Sequence, residues 1–220
     1  MVAAAFISAE SSHESTMRNR MDNDKISLDS NLLTKHKIPG GTKMSIFDKL
    51  NNTAADAAKQ TFTFAALPES LAQMQALPEA ALQSPFQTAA LTVCALCVYA
   101  ADKNIGAEML NWLRGPRPLS PMDISFLNDR FRDGIHVPFS YFAGATPENN
   151  YTPNKPYTLT IEAGPYADAN PGYKKLHIRS GGADNAREIV LRQKGDGTWL
   201  LWDQILLVSI RQPKSADPWA

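Results

Sequence analysis

Cysteine and histidine are scarce in this chain, with two and four copies in 220 residues. That scarcity excludes a disulfide scaffold and leaves too few ligands for a zinc site. An excess of either charge is missing as well. Lys and Arg number 22 and Asp and Glu number 22, so no basic field exists to drive non-specific nucleic-acid binding, and no acidic tract stands out. No apolar run approaches the roughly 18 residues that a membrane-spanning helix needs. Two catalytic signatures are absent too: there is no Gly-x-Ser-x-Gly elbow and no Gly-rich loop followed by Gly-Lys-Ser/Thr. Hydrophobic residues make up 44% of the chain and charged ones 20%, the composition of an ordinary globular protein.

The first 43 residues differ from the rest. They hold Ser11, Ser12, Ser15, Asn19, Asp22, Asn23, Asp24 and Ser30 with no sustained helical or strand period. The apolar patch Val2–Ile7 is too short for a signal-peptide core and has no basic residue before it. Pro39-Gly40-Gly41 lies just upstream of Met44. If these are encoded CCA-GGA-GGA, the message carries AGGAGG, a bacterial ribosome-binding sequence, a short spacer before the Met44 codon. The expectation is therefore a misassigned start: translation begins at Met44, and residues 1–43 are a disordered leader outside the native protein.

Ile46, Phe47, Leu50, Ala54, Ala57 and Ala58 recur at helical spacing, so Met44–Gln60 reads as an amphipathic helix, and 44–64 as that helix with its linker. Its charges cancel, whereas a membrane-surface helix has a basic polar face; packing on the body is the favoured reading. Leu67-Pro68-Glu69 and Leu77-Pro78-Glu79 suggest two short helices, near 68–76 and 78–83, since proline suits a first helical position. Ser84-Pro85 opens the strongest helix, apolar almost all round from Ala89 to Tyr99 and so expected to be buried. Asn104-Ile105-Gly106 is expected to break it, with a further helix over Ala107–Arg114 stopping at Gly115-Pro116. Ser120-Pro121-Met122-Asp123 is a capping-box start for a helix that runs to about Arg132.

After Pro138 the period changes to two. Tyr157, Leu159 and Ile161 alternate with polar residues, as do Leu176 and Ile178, while Ile189 and Leu191 face one way and Val190 and Arg192 the other. Gly195-Asp196-Gly197 signals a hairpin into Trp199–Trp202. Ile205–Ile210 could be a fifth strand or a closing helical turn. Helices followed by strands predict an α+β domain over 65–220, with N-terminal helices packed on one face of a C-terminal antiparallel sheet of four to five strands.

Two connections stand out as candidate binding segments. One is doubly basic, Arg114-Gly115-Pro116-Arg117-Pro118-Leu119. The other, 139–153, is long and rich in aromatics and turn formers, with Tyr141, Phe142 and Tyr151; loops of that length are often functional. Arginine forks recognise carboxylates or phosphates, and exposed tyrosines give contact area at low entropic cost. The competing reading is that these residues clip loops to the sheet, with Arg117 paired to Glu148 or Asp123.

Gly115-Pro116-Arg117-Pro118-Leu119-Ser120-Pro121, Phe142-Ala143-Gly144-Ala145-Thr146-Pro147-Glu148-Asn149, Tyr151-Thr152-Pro153 and Lys155-Pro156-Tyr157 resemble a bacterial domain family of unknown function. The ending, Ile210-Arg211-Gln212-Pro213 and Asp217-Pro218-Trp219, is similar to it as well. The likeness covers about residues 65–220. It implies a bacterial, cytoplasmic, single-domain protein and carries no catalytic residues with it.

Other chemistry is weakly supported. Cys94 and Cys97 have redox spacing but lie within the apolar helix, where burial keeps thiols neutral. His177 alternates outward on a strand, and His136 precedes the aromatic loop. Asp129 and Asp133, with Arg130 and Arg132 between them, read as a solvated helix face. Gly181-Gly182 reads as a turn between strands. The expectation is a non-catalytic binding or protein-interaction module using the arginine and aromatic loops, without cofactor, metal or nucleic acid. The alternative is a small-molecule-binding or enzymatic domain with a pocket between helices and sheet. A deep pocket holding His136 beside a carboxylate would favour the latter.

Overall fold

The computed structural model describes residues 58–216 and 218. The proposed leader, the Met44 start and most of the proposed N-terminal helix lie outside these residues. The part of that helix and linker that is described is a strand instead, β1, Lys59–Phe64. Four helices follow: α1 (Leu71–Gln75), α2 (Pro85–Ala101), α3 (Lys103–Arg114) and α4 (Pro121–Asp133). Then come β2 (Tyr157–Ala163), β3 (Tyr173–Ile178), β4 (Arg187–Gln193) and β5 (Trp199–Gln204). The five strands form one antiparallel sheet in sequence order. The fold is the expected α+β arrangement, except that the fifth strand comes from before the helices. Ile205–Ile210 is neither strand nor helix but a turn segment.

Local chemistry explains the helix ends. Ser84 and Ser120 each cap a helix whose first residue is proline, and Gln87 and Asp123 reach back to complete a capping box at each. The segment near 68–76 is helical only over α1, because Ser70, not Pro68, supplies the cap: its hydroxyl accepts from the Gln73 N–H. Pro78–Ala81 is a single 3₁₀ turn.

The break between α2 and α3 falls at Asp102, whose carboxylate accepts from the N–H groups of Asn104 and Ile105. Asn104-Ile105-Gly106, expected to be the break, lies inside α3. A Cβ at Gly106 would stand 2.3 Å from the Tyr99 Cα, so glycine is what lets α3 fold back against the end of α2.

The inward face of the sheet, Leu159, Ile161, Leu176, Ile178, Ile189, Leu191 and Leu201, is buried against α2, itself buried along nearly its whole length. Of two buried threonines on α2, one joins the helix to the sheet and the other bonds back within the helix. Thr88 donates to the Trp199 carbonyl at 2.7 Å, and Thr92 bonds back to the Thr88 carbonyl at 2.8 Å. Among the described residues no helix covers the other face, which carries Thr61, Thr63, Lys175, His177, Glu188, Arg192 and Trp202.

Candidate functional site

The doubly basic connection separates its two arginines. Arg114, in the last turn of α3, is only 7% exposed. Its Nε donates to the Arg117 carbonyl at 3.0 Å and its terminal nitrogen lies 3.4 Å from Asp123 Oδ2. It is therefore Arg114, not Arg117, that pairs with Asp123 and ties the loop to the start of α4. Burial pushes the Asp123 carboxyl up. Bonds from the Ser120 hydroxyl and N–H, with the Arg114 and Arg117 charges, outweigh this and hold it below its ordinary value.

The aromatic loop turns inward. Tyr141, Phe142 and Tyr151 are all buried, so none offers the exposed contact area that the sequence suggested. The Tyr141 hydroxyl donates to the Leu206 carbonyl, and burial raises its pKa. Tyr151 donates to the Arg211 carbonyl at 2.7 Å and stacks on His136, with ring centres 5.0 Å apart. Phe142 meets the Tyr157 ring edge-on. Gly181 and Gly182 explain the turn that faces this loop. A Cβ on the first would lie 1.9 Å from the Ala145 carbonyl oxygen, and on the second 2.0 Å from the Tyr151 hydroxyl. The loop is clipped to the body by backbone carbonyls and admitted by two glycines.

Arg117 does the opposite. It leaves its loop over Trp202, its guanidinium carbon 4.3 Å from the ring centre, and reaches the Trp202 carbonyl at 3.4 Å. Arg192, from β4, lies 4.9 Å from the same ring centre and 5.3 Å from that of Tyr173. Tyr173 and Trp202 meet edge-to-face at 5.4 Å. Cation–π contact of this kind holds a guanidinium in place while leaving its N–H edge available. Among the described residues neither Arg117 nor Arg192 has a carboxylate within ion-pair distance, whereas neighbouring Lys175 is paired to Glu188 at 3.1 Å. Beside the stack lies a groove of about 430 Å³ bordered by Tyr166, Tyr173, Lys175, Val190, Trp202 and Asp203. Tyr166 is 79% exposed.

Of the five predicted site residues, then, only Arg117 belongs to this surface. Arg192, Tyr173, Tyr166 and Trp202 complete it. Strand alternation contained a signal for three of them: with Leu176, Leu191 and Leu201 inward, Tyr173, Arg192 and Trp202 on the same strands take the other face.

The remaining candidates separate cleanly. Burial raises both thiols, Cys94 and Cys97, far above the working range of a nucleophile. Cys97 nonetheless borders a second groove, of about 480 Å³, between α2, α3 and the start of β2, with Leu67, Ile105, Phe139, Lys155 and Tyr157. His136 lines neither groove; its buried Nε2 has no partner among the described residues, and burial lowers its pKa despite a bond to the Arg211 carbonyl. His177 lies 3.5 Å from Glu188 on the outer face. Asp129 pairs with Arg132 at 3.2 Å on an exposed helix face. Among the described residues no cluster of His, Cys, Asp and Glu is placed to hold a metal, and no helix is long and apolar enough to cross a membrane.

A family model described as a domain of unknown function (DUF6935) matches residues 66–214. The chain belongs to that family. No curated protein and no solved structure matches it.

Proposed function

We propose that this domain is a non-catalytic protein-interaction module of the bacterial cytoplasm, and that its docking surface is the outer face of the sheet around Trp202. One observation carries the reading: two guanidinium groups, without carboxylate partners among the described residues, are held against a single indole ring. Preorganised arginines recognise carboxylates bidentately at small entropic cost. Acidic residues on alternate positions of an extended segment stand about 6.6 Å apart on one face, a spacing that two cations about one indole can meet. The partner is thus an acidic, extended protein segment, with Tyr166 and Tyr173 supplying apolar contact. The balanced net charge supports a protein partner over a nucleic acid.

The test is a titration of the full chain, followed by amide and side-chain NMR, with a Glu-Val-Glu-Val-Glu peptide and a Lys-Val-Lys-Val-Lys control. The expected outcome is selective shifts at the Arg117 and Arg192 Nε and the Trp202 indole N–H with the acidic peptide, lost in Arg117→Glu/Arg192→Glu. No response, or an equal response to both peptides, would sink the reading. The groove beside Cys97 and Lys155 supports a second reading, a small-molecule-binding domain. Ligand-induced thermal shifts abolished by Ala101→Trp, which fills that groove, would favour it.

A further inference from the structure

The two edges of the sheet are treated differently. At β5 the rest of the chain engages backbone groups that face away from β4. The Trp199 N–H donates to the Leu82 carbonyl at 2.9 Å, Thr88 donates to the Trp199 carbonyl, and Arg117 reaches that of Trp202. Among the described residues β1 has no such partner on its outer side: its backbone pairs only with β2.

Which of its groups face outward follows from its neighbour. The Thr158 carbonyl accepts from the Ala143 N–H at 2.7 Å, so the Thr158 backbone points away from β1. Thr63, opposite Thr158, therefore sits in a non-hydrogen-bonded pair, and by the period of two so do Thr61 and Lys59. The side chains agree. Thr61 and Thr160 hydroxyls meet at 3.0 Å and those of Thr63 and Thr158 at 3.3 Å, the closer approach that such pairs allow. Lys59, Thr61 and Thr63 thus each present an N–H and a C=O outward, along an edge with no proline. An edge like this is a template for another strand unless something closes it.

We propose that it is closed by the same edge of a second copy of this chain, β1 against β1, antiparallel, with the two-fold axis at Thr61. Residues directly opposite in an antiparallel pair share a face, so the threonine side must meet threonine or lysine and never phenylalanine. An axis at Thr61 sets Thr61 against Thr61 and Lys59 against Thr63, and it pairs every outward group of both strands. An axis at Phe62 would leave Lys59 opposite Ala65, beyond the end of β1. An axis at Lys59 would set two like charges opposite each other. At the Thr61 axis, half-buried Phe62 comes opposite Gln60 of the other copy, whose methylenes cover it. The threonine ladder shared with β2 also continues across the dimer. The strand's one charge, Lys59, is already paired with Glu162 at 3.1 Å, so it does not oppose association. The result is one sheet continuous through both copies.

Light scattering on the full chain during size exclusion, over a concentration series, is expected to reach twice the monomer mass. Thr61→Pro removes an outward N–H but none of the bonds to β2, since proline is tolerated where a strand N–H faces out of the sheet. That variant, with unchanged circular dichroism, stays monomeric. Thr61→Cys is expected to cross-link into a disulfide dimer under copper phenanthroline, because Cα atoms in a bonded antiparallel pair stand about 5.5 Å apart, within disulfide range. Thr63→Cys, opposite Lys59, is not. A wild-type chain that is monomeric throughout, as when its own residues before Ala58 occupy the edge, overturns the proposal. So does a dimer that survives Thr61→Pro, or cross-linking through Thr63 and not Thr61. The cysteine pair decides the matter on its own if the proline variant does not fold.

Discussion

The aromatic loop and the outer face of the sheet are built from the same residue types, yet they do different jobs. In the loop, Tyr141 and Tyr151 direct their hydroxyls at the carbonyls of Leu206 and Arg211, and their rings are buried. On the outer face, Tyr166 is open to solvent, and Arg117 and Arg192 rest on Trp202 with no carboxylate partner among the described residues. Aromatic and arginine content marks both segments as unusual. What separates a structural clip from a docking surface is whether polar groups already have protein partners, because a satisfied group has nothing to offer a ligand.

That contrast can be broken most forcefully on the loop side. Gly181→Ala places a methyl group against the Ala145 carbonyl, and the loop must lift or the strand connection must shift. The expected loss is about 3 kcal/mol in urea unfolding. A loss below about 0.5 kcal/mol would mean that the loop is not docked there.

Tyr141→Phe removes a smaller piece, leaving the Leu206 carbonyl without its donor at a cost of about 1–2 kcal/mol. If calorimetry finds the variant as stable as the parent, the clip is not a significant one.

His136 gives a pH handle on the same region. Its folded pKa lies below its ordinary 6.5, chiefly through burial. Between the two values the unfolded chain binds more protons, so stability is complete above about pH 6.5 and is lost as pH falls through the folded value. His136→Phe keeps a ring against Tyr151 and removes the unpartnered nitrogen. Urea midpoints at pH 5 and pH 7.5 should therefore draw together in the variant. An unchanged gap would place the acid sensitivity between these two pH values in another group.

The smallest stability effect belongs to the outer face. Arg117→Glu with Arg192→Glu is expected to change unfolding free energy by under about 1 kcal/mol, the scale of exposed cation–π contacts, while abolishing the response to acidic peptide. A large loss of stability would make the stack a structural element and remove the contrast.

Several features were legible in the sequence for local reasons. The capped helix starts at Ser84 and Ser120, the Gly195-Asp196-Gly197 hairpin and the inward alternation on β2, β3 and β4 each depend on neighbours within a few residues. β1 was not, although Thr61 and Thr63 alternate with Phe62 and Phe64. Six residues after an apparent helical period carry a weak signal, and the strand's partner, Tyr157–Ala163, lies almost a hundred residues away. Gly106 was misjudged because the backbone approach that requires it involves Tyr99 of another helix.

Composition and period thus determined the class of this protein: helices over a sheet, one apolar central helix, a balanced charge and two unusual connections. These follow from hydrophobic spacing and capping, which act over one or two turns of chain. Only the tertiary structure decided that Arg114 would be buried and Arg117 presented, that Tyr141 and Tyr151 would face inward, and that Arg192 and Trp202 would meet. Burial and pairing are properties of what packs around a side chain. For these residues the partners (Asp123, Leu206, Arg211 and the far strand edge) come from other parts of the chain.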